Sequence, residues 1–183
     1  ELFFRHVLDH NQPPREFLNA DYSFLNRELA LHYGIDGVEG NALKRVSLKG
    51  TGRGGLIGQG AFLTASANGV DTSPVVRGIY VLEKLLGYTP PPPPPDVPTI
   101  EPDIRGAVTI RGQLEKHREI ATCAECHRKI DPLGFALENF DAIGGWRMEY
   151  GRNLPVDASG KLPDGATFKT PDEFRRLMAG RHE

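Results

Sequence analysis

At 183 residues, 39% of them hydrophobic and 25% charged, the chain has the composition of a folded protein with material for one ordinary core or two small ones. A formal net charge of −2 and a pI near 6.3 supply neither the basic field that nucleic acid requires nor a polybasic membrane patch, so no nucleic acid is expected as a partner. Glycine (21) and proline (15) imply many turns and few long elements, and no stretch approaches the roughly 18 continuous apolar residues of a membrane span.

The N-terminus, Glu1 to His6, has neither an initiator Met nor a signal-peptide layout. Residues 1–46 read as helix interrupted by turns. Pro13-Pro14 breaks the chain, and Asp21 is placed to cap a helix on which Phe24, Leu25, Leu29 and Leu31 recur near helical spacing until Tyr33-Gly34. The run Gly50 to Gly55 lacks the Lys-Ser/Thr ending of a phosphate loop, and no apolar strand precedes it, which makes it a flexible connector. The next helix has Ser73 as N-cap, Pro74 at its first position, an apolar stripe of Val75, Ile79, Leu82 and Leu86, and Gly87 as its stop. Pro90 to Pro95 lock into an extended polyproline helix of roughly 19 Å and act as a strut.

A helical pattern returns from Thr109 to about Cys123, with Leu114, His117 and Ala121 on one face. Ile130 to Gly134 is expected to turn, because Pro132 blocks continuation and Gly134 relaxes the backbone. Phe135, Leu137 and Phe140 give a short apolar segment. Leu154 to Phe168 turns at Asp157-Ala158-Ser159-Gly160 and at Asp164-Gly165, as in a small hairpin or paired loops, and lacks the ligand count of a calcium loop. Thr170-Pro171-Asp172-Glu173 is a capping box that opens a last helix with Phe174, Leu177 and Met178 on its apolar face, closed by Gly180.

Within this layout one pentapeptide, Cys123-Ala124-Glu125-Cys126-His127, carries the chemistry. C-x-x-C-H is the spacing that attaches a haem through two thioethers and sets the following imidazole, His127, under the iron as proximal ligand. Three other readings compete. A redox dithiol sits after a strand at a helix start, whereas this pair follows a helical stretch. A structural zinc needs four ligands, and no second Cys pair exists to complete them. A disulfide across two residues closes a small strained ring. Because c-type haem is attached outside the cytoplasm, the expected location is periplasmic or otherwise extracytoplasmic, and the missing export signal suggests a fragment or a processed chain.

Thr72 to Gly78, the proline run, His117-Arg118, the C-A-E-C-H motif, Asp131 to Asp141, Gly145-Trp146-Arg147 and Leu162 to Gly165 together resemble planctomycete-type multidomain cytochrome c-like proteins, whose C-terminal modules have no settled activity. The resemblance covers roughly residues 20 to 180. It implies one covalent haem c and a larger exported protein of which this chain is a part. The fold expected is mainly α: a cytochrome-c-like helical haem domain over residues 101–183, a helix plus polyproline linker over 51–100 packing on it, and a helical tail of a preceding domain over 1–50.

In the haem site so implied, His127 directs its second ring nitrogen to a backbone carbonyl of the loop at Ile130 to Pro132. The sixth ligand is open between His117, which belongs to the family pattern, Met148 on a returning loop, Met178, His32 and a vacant position. Arg118, Arg128 and Arg147 are candidate partners of the haem propionates or plain surface charges. Trp146 can pack on the porphyrin, and Phe135, Leu137 and Phe140 line the pocket or belong to ordinary core. Electron transfer to a redox partner protein or a neighbouring domain is the leading function. A haem peroxidase or oxidase with an open distal position, served by Glu125 or Glu138, and a structural haem-stapled module are the alternatives.

Overall fold

Phe3 and Val7, one helical turn apart, are the buried residues of the first helix, α1 (Leu2–Asp9), and Phe3 packs against Phe17 and Tyr22 in a small aromatic cluster. The computed structural model describes residues 1–92, 109–119, 121–151 and 153–180, with the backbone alone of His117 and Thr122. The chain is a mixture, 42% helical, and its described residues form three two-stranded antiparallel sheets. After a single turn of helix, α2 (Glu16–Asn19), the segment expected to be capped by Asp21 is strand instead. Tyr22–Leu25 forms β1 and pairs with β2 (Lys44–Ser47), Tyr22 opposite Ser47 and Leu25 opposite Lys44. Aromatic and apolar residues with two-sided burial favour the pleated sheet once a partner strand arrives, and that partner lies twenty residues downstream, beyond a local pattern. The helix starts later: Asn26, not Asp21, caps α3 (Arg27–His32) by accepting from the Leu29 N–H at 2.9 Å.

The glycine-rich run is packed loop rather than connector. A Cβ at Gly55 would lie 2.4 Å from the Leu18 carbonyl oxygen and one at Gly54 within 2.5 Å of the Ala20 carbonyl oxygen, so the backbone passes against α2 where only glycine fits. Beyond it come α4 (Gly60–Ala65) and α5 (Pro74–Tyr80), the latter capped by Ser73 and continued by one π-helical turn, Val81–Leu85. Of the proline run, Pro93 to Pro95 lie outside the described residues, and Pro90 to Pro92 belong to no helix or strand.

Two corrections concern the segment that bears the cysteines. The expected continuous helix is divided into α6 (Ile110–His117), capped by Thr109, and α7 (Ala121–Phe135). The expected turn at Pro132 is interior helix. A proline there removes one hydrogen bond at a cost of about 3 kcal/mol. Burial of Ile130, Leu133 and Phe135 around it, at about 1.5–3 kcal/mol each, outweighs that cost. Gly134 supplies close approach rather than turning freedom: its Cβ would lie 1.8 Å from the Pro74 carbonyl oxygen, while a Cβ on Gly78 would lie 2.2 Å from that of Ile130. Helices α5 and α7 therefore meet backbone to backbone.

Leu63 of α4, Val81, Leu82, Leu137 and Phe140 complete the main core around this pair. Two short ladders follow, β3 (Glu149–Tyr150) with β4 (Leu154–Pro155) and β5 (Gly160–Lys161) with β6 (Thr167–Phe168). Helix α8 (Pro171–Ala179) closes the fold with Phe174 and Met178 fully buried and Thr170 accepting from the Glu173 N–H.

Candidate functional site

On α7, residues 123, 126 and 127 lie three and four positions apart, so helical geometry alone puts both thiols and the imidazole on one face within a single turn. Both cysteines are free thiols and half-buried, and Cys126 packs against the main core. One turn further along the same stripe stands Asp131, whose side chain is fully buried. His127 Nδ1 lies 2.8 Å from Asp131 Oδ1, and beside a carboxylate that nitrogen carries the proton and donates it. Nδ1 of His127 therefore meets a side-chain carboxylate and not the expected loop carbonyl, because the carbonyls of residues 130–132 are part of a helix. Among the described residues the other oxygen, Asp131 Oδ2, has no hydrogen bond, and Arg118 Nε approaches it at 3.7 Å from the break between α6 and α7.

A small cleft of about 150 Å3 opens beside Cys126, walled by Leu82, Tyr88, Pro90, Pro91 and Ile130, with the exposed Glu125 at its rim. The donor set fits a covalently held haem: two free thiols and an imidazole share one face, the imidazole is oriented by a carboxylate, and apolar side chains adjoin. The cleft is narrower than the roughly 300–1,000 Å3 of a typical small-molecule site. Among the described residues no three His, Cys, Asp or Glu side chains are grouped to hold a metal ion by themselves, which a zinc tetrahedron requires and a porphyrin-held iron does not.

The remaining residues singled out in the sequence are dispersed. Arg118 joins the site through Asp131. Phe135, on the last turn of α7, is buried beneath the Arg111 guanidinium at 4.0 Å. Arg128 donates to the Ala124 carbonyl. Met178 is core, Met148 is 66% exposed, and His32 Nε2 meets the Ile143 carbonyl at 2.9 Å. The side chain of His117 lies outside the described residues. Trp146 packs edge-on against Phe140 and covers Gly52.

Arg147 closes on a buried polar hub that the sequence did not disclose. Glu138, fully buried, accepts from Thr72 Oγ1 at 2.8 Å, Arg147 at 3.0 Å and the Tyr150 hydroxyl at 3.0 Å, with Arg77 NH1 at 3.4 Å. Burial pushes the Glu138 carboxyl up, against the pull of Arg77 and Arg147, and likewise raises Tyr150, which Glu138 raises further. Arg77, also fully buried, donates to the carbonyls of Leu63, Leu137, Phe140 and Asp141. Arg53 lies 3.8 Å from the Tyr33 ring centroid and 4.8 Å from that of Phe140, and burial lowers its pKa to about 10. Nothing in composition or periodicity separates these arginines from surface ones. The Asp131 partnership, by contrast, was legible as an i,i+4 pair with His127 once the segment is read as helix.

Comparison with known families matches residues 1–35 to PSD4, a protein of unknown function (DUF1592), and residues 53–150 to PSCyt3, a protein of unknown function (DUF1588). No curated protein and no solved structure matches the chain. Both families are domains of unknown function typical of planctomycete-type multidomain proteins. Since the second match spans more than half of the chain and contains α4, α5, α6, α7 and the Glu138 hub, the chain belongs to the PSCyt3 family of proteins of unknown function (DUF1588).

Proposed function

We propose that this chain is an electron-transfer module carrying one covalent haem c on Cys123 and Cys126, with His127 as its proximal ligand, within a larger extracytoplasmic protein. The observation that carries the reading is the single face of α7 on which the two thiols and the imidazole stand, with Asp131 2.8 Å behind the imidazole. Haem, when bound, supplies a one-electron couple at iron. The residues of the chain do the rest. Cys123 and Cys126 retain the group covalently, one turn of helix fixing the sulfur spacing. Asp131 holds the proton of Nδ1, which fixes the tautomer so that ligation falls to Nε2, and its charge makes the imidazole a stronger donor. Arg118 offsets that buried carboxylate. Residues 101–183 form the cytochrome-c-like part of the module in this reading, and its electron partner is a neighbouring domain of the parent chain or a separate protein.

The same carboxylate favours a second reading. A strongly donating proximal imidazole stabilises the oxidised metal, which suits a haem enzyme with an open distal position as well as a low-potential carrier. The test is production of the chain with a c-type maturation system, followed by acid-acetone extraction and spectra of the reduced protein with and without carbon monoxide. Colour that stays with the polypeptide, is lost in a Cys123→Ser/Cys126→Ser protein and ignores carbon monoxide supports electron transfer. A carbon monoxide complex moves the reading to the enzyme. Colour that extracts into the solvent, or its absence, ends both.

A further inference from the structure

A second, larger cleft of about 1030 Å3 lies between the residues that flank β1 and β2, the loop of residues 49–53 and the start of α8, and it shares no lining residue with the cleft at Cys126. Lys49, Arg53, Arg175 and Arg176 line it against two carboxylates, Asp21 and Asp172, a surplus of two positive charges in a chain whose net charge is −2. Lys49 pairs with Asp21 at 3.4 Å, and Asp172 is divided between Arg175 and Arg176, 2.5 Å from each.

The buried cations are incompletely partnered. The Arg175 side chain is only 5% exposed, yet among the described residues its Nε and NH1 have no hydrogen bond, and NH1 lies where a Cβ on Gly54 would fall 1.9 Å away. Arg53 is 1% exposed, donates to the carbonyls of Gly58 and Gly144, and has no partner for its Nε among the described residues. Guanidiniums held in this way beneath a cleft give a fixed positive potential that solvent does not screen, and it reaches whatever enters. Trp146, 38% exposed, forms an apolar wall, seated on Gly52, whose φ of +72° and contact with the indole exclude a side chain.

We propose that this cleft binds a small organic anion: a carboxylate, sulfate or phosphate head met by Lys49 and Arg176 over the buried Arg53 and Arg175, on a flat or carbon-rich body lying against Trp146. The site is independent of the thiol face and of any haem. Trp146 is the single tryptophan of the chain, so its emission reports on the cleft directly. The test is calorimetric titration of the full chain at low ionic strength with benzoate, glucuronate and inorganic phosphate, with benzyl alcohol and glucose as neutral controls and Trp146 emission recorded in parallel.

Saturable binding of benzoate or glucuronate with a change in Trp146 emission, weakened by added salt and absent for the controls, is the expected result; which of the two binds separates aromatic from sugar carriers. A Lys49→Gln/Arg176→Gln protein, altered only at exposed side chains, should bind about fivefold more weakly or worse while melting as the parent does. Failure of every anion to bind, equal binding of the neutral analogues, or an unchanged affinity in the double variant overturns the proposal. Phosphate binding as tightly as both organic anions overturns the role given to Trp146.

Discussion

Replacing Gly134 with alanine sets two effects of opposite sign against each other. On an exposed helix the change stabilises by about 1 kcal/mol, because alanine is the better helix former. At this position the new Cβ falls 1.8 Å from the Pro74 carbonyl oxygen and 2.5 Å from its carbon, which are backbone atoms at the start of α5 and cannot rotate away. Relief requires α5 to move off α7, loosening the packing around Ile130, Leu133 and Leu82. Overpacking a core costs about 1–3 kcal/mol, and an overlap with backbone belongs at the upper end, so the net loss is about 2 kcal/mol. In a chain of this length that lowers Tm by roughly 4–8 °C. Thermal melting followed by circular dichroism measures it, with Gly180→Ala, where nothing lies within 4 Å, as the control. A Gly134→Ala protein that melts at or above the parent temperature would refute both the contact of α5 with α7 and the passage of α7 through Pro132.

Three further outcomes are expected. In haem-loaded protein, Asp131→Asn removes the charge behind His127 and raises the midpoint potential; an unchanged potential in a redox titration would show that the carboxylate does not act on the metal. Glu138→Ala leaves Arg77 and Arg147 without their shared carboxylate and should cost about 3–5 kcal/mol in urea unfolding, with Glu138→Gln milder because it still accepts from Thr72. Tyr150 is held protonated in the folded state by burial and Glu138, so its pKa is raised above the unfolded value of about 10. Its contribution is complete below that value and declines as pH rises beyond it, because only the unfolded chain then releases the proton. Tyr150→Phe should flatten the alkaline fall in stability, and an unaltered slope counts against the buried hydroxyl.

What the sequence discloses is what neighbours in the chain decide. Ser73-Pro74 and Thr170-Pro171-Asp172-Glu173 start helices where expected, since capping needs only the residues that follow. The turns at Asp157 and Asp164 form by the same local logic, each side chain accepting from the N–H two residues on. Tyr22–Leu25 carries a helical spacing yet is strand because its deciding partner is β2, and Pro132 reads as a turn because the penalty of a proline is local while the burial that offsets it is tertiary. At the candidate site the spacing of Cys123, Cys126 and His127 was visible at once. The carboxylate behind the imidazole is hidden wherever Pro132 reads as a turn. The anion cleft was invisible, since Lys49, Arg53, Trp146 and Arg175 converge from three separate segments.

Arg77 bears on how far a local disturbance of this arrangement would spread. One guanidinium gathers four carbonyl oxygens, three of them from residues 60, 63 and 64 positions away. Those oxygens repel one another unless a cation stands among them, so Arg77 ties the loop after α7 to α5 beyond what the loop's own turns secure. Unseating Arg77 therefore frees the loop and α5 together, far apart as they are in the chain.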